Sequence, residues 1–593
     1  MKMPRLEFTS KADRMDFGLD LQSARNVEPG GISSGQSVRY ERNSGIMTGP
    51  GYMKSATVND GTGCDSTIEA TVFPALWAKF GTKVFYSQSS IFPTFRDTGL
   101  TLTADVEMDM IEDGDGNILI TTQEDTPEVV AVSKLDTLLS VGDTTIDLGD
   151  ANQLAKFITG GTQTVRINDT AYTYTGKNTG AGTLTGVLEG GSSVATAQVV
   201  NSLVVQDTTS TTWTEEKGKI LMLYDQRLVV AGVKFSENII HVSAPPTAAN
   251  PEYTWDFDAN GPITKFMQFS VTAMISGLNK GFIFGQKQAH IIQEIDIVTN
   301  GLLVAPISET YGAYNRKCVV DMDGRVAFMG QKRLMPISLV LTPDNTQAPF
   351  LDEFFDERLR PWLETHDPSD EQEDAFLKWD SAQKILKIGA VVDGALQTYF
   401  FDPQSGRRKG RSGAFGPKEN RNIGDSTMFL GRSYFGHRDN GILYEDDIGR
   451  TNDGISIGHK WSTGRIEYDK GREFMQCRTF EYSGWLTEPT SHILRVYIDG
   501  SATASFEQEY EFDDLEITSD GTSLGERGFG VYLIGGGEGT VFVFAYKNNV
   551  LLRGLEGEDF RFEWEVSGEG HFFQTNTLLF KAFVLRRTRR IFT

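Results

Sequence analysis

The chain has 593 residues, 39% hydrophobic and 23% charged, with a formal net charge of −24. That length is several times the usual domain of about 100–150 residues, so large cores are buried without staples. Three distant cysteines, Cys64, Cys318 and Cys477, exclude a disulfide scaffold and, with no CxxC, a zinc knuckle or redox motif, while the charge argues against a protein that grips duplex DNA through Lys and Arg.

The opening "MKMPRLEFTSKADRMDFGLDLQS" has no apolar core of a secretory leader. The longest apolar runs, "ILMLY" and "VFVFAY", fall far short of the ~20 residues that span a bilayer. The expectation is a chain made in the cytoplasm and not inserted in a membrane. Residues 1–60 are rich in Gly, Ser and Asn and read as an extended arm that other surfaces must order. Within it "GISSG" (Gly31 to Gly35) fits the G-x-S-x-G nucleophile elbow, but neither a buried strand before it nor a helix after it is present, so it reads as a loop.

Strand signals dominate from there. "KVFYSQSSIFPTF" and "VEMDMIEDGDGNILITT" are hairpin patterns. In the second, "DGDGN" (Asp113 to Asn117) with Glu124 resembles part of an EF-hand loop, but Ile118 stands where Gly is required, and a tight hairpin turn is the better reading. The strand–turn–strand logic repeats in "KILMLYDQRLVVAGVKFSENIIHVSA", "GFIFGQKQAHIIQEI", "RVAFMGQKRLMPIS", "ILKIGAVVDGALQTYFFD" and "STMFLGRSYFGHRDNGILYEDD". Residues 61–132 and 207–455 therefore read as an irregular β-propeller in two parts. The repeat is structural rather than textual, so the blade number is not legible. "WDFD" (Trp255 to Asp258) lacks the Gly-His partner of a WD repeat.

Residues 133–206 interrupt the propeller with a Thr-rich segment that has no His, Cys or Trp. It reads as an inserted small β domain without chemistry. Tyr172 and Tyr174 share one strand face and are expected to be exposed for contact with a partner. Further on, "LDEFFDERLRPWLETHDPSDEQEDAFLKWD" predicts one helix, with Asp352 as N-cap, Phe354, Phe355, Leu359, Trp362 and Leu363 near one face, and Pro361 kinking or limiting it. Residues 456–593 carry longer strands and read as an antiparallel sandwich-like platform domain. Its "GGGEGT" (Gly535 to Thr540) joins two β runs and reads as a hairpin tip, and "RRTRRIFT" at the end is the strongest basic cluster.

Catalytic and metal sites are not expected. The seven histidines show no metal-ligand spacing. Paired carboxylates in a propeller cleft would suit a glycosidase, and Asp321 with Asp323 and Asp446 with Asp447 are the candidates, though "DMDGR" and "EDDIGR" are turn-like. The fold class is all-β: an irregular β-propeller with an inserted small β domain and a C-terminal antiparallel sandwich-like platform.

Three stretches carry a resemblance. These are "ARNVEPGGISSGQSVRYERNSGIMTGPGY", with its Pro50-Gly51-Tyr52 turn; "DQRLVVAGVKFSENIIHVSAPPTAANPEYTWDFDANGPITKF"; and "GLNKGFIFGQKQAHIIQEI" with "GAYNRKCVVDMDGRVAFMGQKRLMPIS". Together they resemble the tail nozzle (tail tube, or DNA-stabilisation) proteins of short-tailed bacteriophages. In the insertion, Tyr174-Thr175-Gly176 and Leu184-Thr185-Gly186-Val187 resemble a small β docking domain of phage tail and baseplate proteins.

The resemblance implies a structural virion protein at the distal end of the tail: a homohexameric ring that retains the genome and conducts it on ejection. It implies a tail adaptor and tail fibre or spike proteins as partners, passing double-stranded DNA without sequence-specific contact, and no cofactor, metal or catalytic residue. An acidic surface then lets DNA slide, since like charges repel over about a Debye length, near 8 Å. The alternatives are a receptor-binding or fibre-attachment protein of the virion and, after it, a propeller glycosidase.

Overall fold

The computed structural model describes the chain except for residues 1–5, 13–31, 37, 42–44, 49–51, 59–61, 91–92, 105, 126, 159, 207–216, 246–252, 254–262, 297–300, 342–346, 366–373, 393–394, 404–413, 420, 448–450, 454, 469–473, 487–490, 512–530, 535–540, 553, 567–572 and 586–593. "WDFD", "GGGEGT" and "RRTRRIFT" therefore lie outside the described residues.

Short antiparallel sheets follow one another along the chain. Their first strands are Cys64–Ala70, Met108–Glu112, Gly218–Tyr224, Ala273–Gly277, Val319–Asp321, Phe376–Asp380 and Ile423–Phe429, and each lies beside the first strand of the next sheet. The last of them lies beside the first, which closes a ring. The protein is thus a seven-bladed β-propeller, with blades numbered here from Cys64–Ala70. Blade 7 takes its fourth strand from Tyr52–Thr57, which pairs antiparallel with Ile442–Asp446. The strand comes from inside the expected 1–60 arm and ties the start of the chain to the last blade.

Local chemistry explains the hairpins. Three two-residue turns, Asp225-Gln226, Leu278-Asn279 and Gln331-Lys332, have φ of 51° and 59°, 55° and 58°, and 51° and 59°. Positive φ at both central residues marks the primed turns whose twist matches the flanking strands. The blades alternate less cleanly than a half-exposed sheet because both faces are covered: Ala75–Phe80 and Ile385–Val392 are buried at every position. Facing blades fill the seams between them. Leu76, Ala78, Phe80, Phe429, Tyr434 and Leu443 close blade 7 on blade 1.

The platform is two sheets packed face to face. One contains Phe474–Leu486 and Phe573–Leu585; the other contains His459–Thr463, Asp559–Val566 and Ser491–Ile498. Between them Phe480 stacks on Phe562 with ring centroids 3.8 Å apart, and Trp461 stacks on Trp564 at 6.0 Å. Propeller and platform share backbone as well as side chains. Strand Ile32–Gln36 pairs with His459–Thr463 on one side and with Ala414–Glu419 of blade 6 on the other, so the blade-6 sheet continues into a platform sheet. Leu6–Ala12 pairs along Phe573–Leu585.

The inserted module has its own core, formed by Ile146, Leu154, Phe157, Val165, Ile167, Leu184 and Val204 among others. Its entry and exit strands, Val132–Lys134 and Leu203–Gln206, pair with each other. Val132, Leu203 and Val205 turn the opposite way and bury in the seam of blades 1 and 2, beside Tyr86, Met110 and Ile118. Blade 2 has three strands of its own, Met108–Glu112, Ile118–Thr122 and Glu128–Val130, and the module packs into its seam with blade 1.

The predicted long helix is corrected. Among the described residues of that stretch only Arg360–Leu363 is helical, and its N-cap is Leu359, not Asp352. Pro361 sits at the helix start, where a missing N–H costs nothing, so it begins the helix rather than kinking it. Leu359, Trp362 and Leu363 are buried, but Phe354 is exposed. The organising residue is Asp356, fully buried, which holds Arg333 at 2.8 Å and Arg360 at 2.9 Å and accepts the Leu334 N–H at 3.0 Å.

Candidate functional site

A cavity of about 610 Å³ opens where the inner strands begin. Every blade contributes to its wall: Asp65 from blade 1, Glu107 before blade 2, Lys219 and Glu237 from blade 3, Gln286 to Gln288 from blade 4, Asn315 to Lys317 at the entry to blade 5, Asp374 before blade 6, and Gly424 with Arg438 from blade 7. The cavity therefore lies on the propeller axis.

Its carboxylates are already engaged. Asp65 holds the buried Lys79, Lys219 holds Glu107 and lies 3.9 Å from Glu237, and Arg438 holds Asp374 at 2.6 Å. Arg316 Nε donates to Asp109 Oδ2 at 2.7 Å, joining blade 5 to blade 2 across the axis. The same Oδ2 accepts the Leu221 N–H of blade 3 at 2.9 Å. Asp425 of blade 7 repeats the pattern, accepting the Thr67 N–H of blade 1 at 2.7 Å and pairing with Lys378 of blade 6 at 2.6 Å. Two lysines of the wall have no carboxylate within ion-pair distance among the described residues. Lys317 donates to the Gly424 carbonyl at 3.0 Å, and Lys287 is exposed.

The carboxylate pairs considered for glycosidase chemistry are occupied by structural work. Asp446 and Asp447 form a buried network with Lys387 and Arg421: Arg421 Nε lies 2.7 Å from Asp446, its Nη2 lies 2.9 Å from Asp447, and Lys387 binds both carboxylates. Burial alone would lower the Lys387 ammonium, but Asp446 and Asp447 outweigh it and hold its pKa above the ordinary value. Asp321 and Asp323 sit at a hairpin turn of blade 5 on the opposite face from the cavity. Asp321 caps that turn through the Gly324 N–H at 3.2 Å, and Asp323 binds Lys384 at 2.5 Å.

Tyr172 and Tyr174 are corrected. They do share a face, but it is the inner one, and both rings are buried in the module core. Tyr172 Oη donates to the Thr196 carbonyl at 2.8 Å and accepts from Gln198; Tyr174 Oη donates to the Ile158 carbonyl at 2.8 Å and accepts from Gln206. Neither is available to a partner. The large apolar side chains that the module does expose are Leu138, Val141, Leu188, Val199 and Val200, all but Leu188 on two segments bridged at Leu139 and Gln198.

The other sequence motifs resolve into structure. Asp113 closes a hairpin turn, accepting the N–H groups of Asp115 and Asn117 at 2.9 and 2.8 Å. Residues 32–35 of "GISSG" lie in a strand that bridges propeller and platform, with no elbow. No group of three or more His, Cys, Asp and Glu is placed to hold a metal among the described residues. His492 is buried against Tyr482 and stacks on Tyr510. The three cysteines are buried and form no disulfide. No described helix is long and apolar enough to cross a membrane. Sequence reasoning missed Lys287, Lys317 and Arg316, whose only signal is a cation in the turns "GQKQ" and "YNRKC" ahead of strands.

No family model matches the chain, and no curated protein matches it. Among solved structures it is similar to a virginiamycin B lyase from Staphylococcus aureus, at 8% identity and TM-score 0.34, over 66% of this chain and 98% of that one. It is similar to Hsv2 of Kluyveromyces lactis at 11% identity and TM-score 0.26, over 60% and 97% of the two chains. It is also similar to PorZ of Porphyromonas gingivalis at 10% identity and TM-score 0.23, over 64% and 42%. Likenesses this slight say nothing of what the chain does.

Proposed function

We propose that the chain is a structural, non-catalytic virion protein, a tail nozzle of a short-tailed phage that encloses a conduit for the genome in a six-fold ring. The observation that carries a scaffold role is the double pairing of Ile32–Gln36, which makes one continuous sheet of blade 6 and the platform. A subunit built this way transmits load between its two bodies through backbone hydrogen bonds rather than through a hinge. The virion assignment rests on the sequence resemblance. The propeller axis is closed by Arg316 and Asp109, so a conduit must be the space enclosed by several copies. A net charge of −24 suits a wall past which DNA slides.

The test is an image of assembled particles together with the copy number of this chain. The expected result is six copies in a ring at the distal end of the tail; one copy, or trimeric spikes, rejects the nozzle. A second reading, a receptor-binding protein of the same virion, is favoured by the polar cavity on the axis, and trimeric spikes would support it.

A further inference from the structure

We propose that the axial cavity is a binding site for an acidic oligosaccharide, a chain of sugars that carry carboxylates. The inference does not depend on the nozzle reading. A volume of about 610 Å³ falls in the range of about 300–1,000 Å³ typical of small-molecule sites. The wall combines three kinds of group that such a ligand needs. Gln286 and Gln288 offer amides, and Ser270 a hydroxyl, to sugar hydroxyls. Phe269, half-buried and held 5.0 Å from the His290 ring, offers an aromatic face to a sugar ring. Lys287 and Lys317 have no carboxylate partner among the described residues, and because Glu107 and Glu237 share Lys219 they leave the wall with one net positive charge, in a protein whose net charge is otherwise strongly negative.

An independent feature lies beside the cavity. Phe235 is 94% exposed and has φ of 64°, a left-handed backbone that a bulky residue adopts only at a cost. It stands two residues before Glu237 of the cavity wall, at the turn between Arg227–Val233 and Ser236–Val242. An exposed aromatic held in such a turn gives a second stacking surface, outside the cavity, for a ligand longer than one sugar. Binding without cleavage follows from the wall: Asp65, Glu107, Glu237 and Asp374 each have a lysine or arginine within 4.0 Å, so no carboxylate pair stands free for acid–base work.

The experiment is calorimetric titration of the full chain with tetragalacturonate. Maltotetraose, tetraglutamate and inorganic phosphate are the comparison ligands, at low and at 0.5 M salt. The expected result is one site, weakened at least tenfold by high salt and by Lys287→Glu, and weakened several-fold by Phe235→Ala. Both changes are at exposed side chains, so folding is preserved. Lys384→Glu, on the opposite face, makes the same charge change and should leave binding as it was. The proposal is overturned if tetragalacturonate does not bind at millimolar concentration, if Lys287→Glu and Lys384→Glu act alike, or if tetraglutamate or phosphate binds as tightly as the sugar.

Discussion

Arg316 and Asp109 meet across the axis of the propeller, Nε to Oδ2 at 2.7 Å, although 207 residues separate them in sequence. Arg316 enters blade 5 and Asp109 belongs to the inner strand of blade 2, and the same carboxylate oxygen holds a backbone N–H of blade 3. One ion pair thereby ties three blades together and floors the cavity above it. Removing Arg316 leaves a nearly buried carboxylate with its charge unmatched. Arg316→Ala should therefore cost about 2–4 kcal/mol, more than a surface pair and less than a fully dry one. A double-mutant cycle with Asp109→Asn in urea unfolding measures it; a coupling near zero would show that the pair does not brace the ring.

The buried network of Lys387, Arg421, Asp446 and Asp447 should be more costly to break. Lys387→Met leaves two carboxylates facing one guanidinium with almost no access to water. A loss of about 3–5 kcal/mol is expected, read as an early loss of cooperative unfolding in the propeller. Asp446→Asn should act in the same direction and leave polysaccharide untouched. Saccharide hydrolysis by the wild-type chain that vanishes in Asp446→Asn would instead make the network catalytic.

His492 predicts a pH dependence. Burial pushes its imidazole down from 6.5 to about 3. Between those values the unfolded chain binds a proton that the folded chain refuses. This contribution to stability is therefore complete above pH 6.5 and is lost as pH falls, at up to about 1.4 kcal/mol per unit. His492→Gln should be less stable at pH 7 but lose less between pH 6 and pH 4. Parallel acid limbs for the two proteins would contradict the assignment.

Leu430 has φ of 48° and is 53% exposed in the turn before Gly431. Asn tolerates this backbone better than Leu, and the side chain makes no core contact to lose. Leu430→Asn should stabilise by about 0.5–1 kcal/mol. Scanning calorimetry should show a small rise in Tm, and a fall would mean that the Leu430 side chain stabilises the fold by more than its strained backbone costs.

The module's boundary sets how it should be removed. Replacing residues 133–206 by a linker strips Leu203 and Val205 from the seam of blades 1 and 2. Each lost aliphatic side chain costs about 2–4 kcal/mol, enough to unfold that side of the ring. Replacing only residues 135–202 keeps the paired strands Val132–Lys134 and Leu203–Gln206 and should leave a folded propeller, judged by protease resistance and circular dichroism. Particles carrying that shorter deletion then test docking: loss of a fibre or adaptor supports it, while full composition and normal infection make the module decoration. Equal stability of the two deletions would show that the seam does not need Leu203 and Val205.

The sequence by itself determined the all-β class, the run of short strands and the hairpin turns, because alternation and turn chemistry act over a few residues. It also placed Tyr172 and Tyr174 on one face, since period two is a property of any strand. It did not say which face was inside, because the choice depends on what lies opposite: Thr196 and Gln198 meet one hydroxyl, Ile158 and Gln206 the other. The long apolar pattern around Trp362 read as a helix for the same reason. Phe355 and Trp362 pack into the core while Phe354 stays exposed, and buried Asp356 with Arg333 and Arg360 shapes the turns there instead. The seven-fold ring, its closure by Tyr52–Thr57, the weld made by Ile32–Gln36 and the pair Arg316–Asp109 were decided by tertiary structure alone. Each joins residues far apart in the chain, and a partner's identity leaves no mark on the local pattern of either strand.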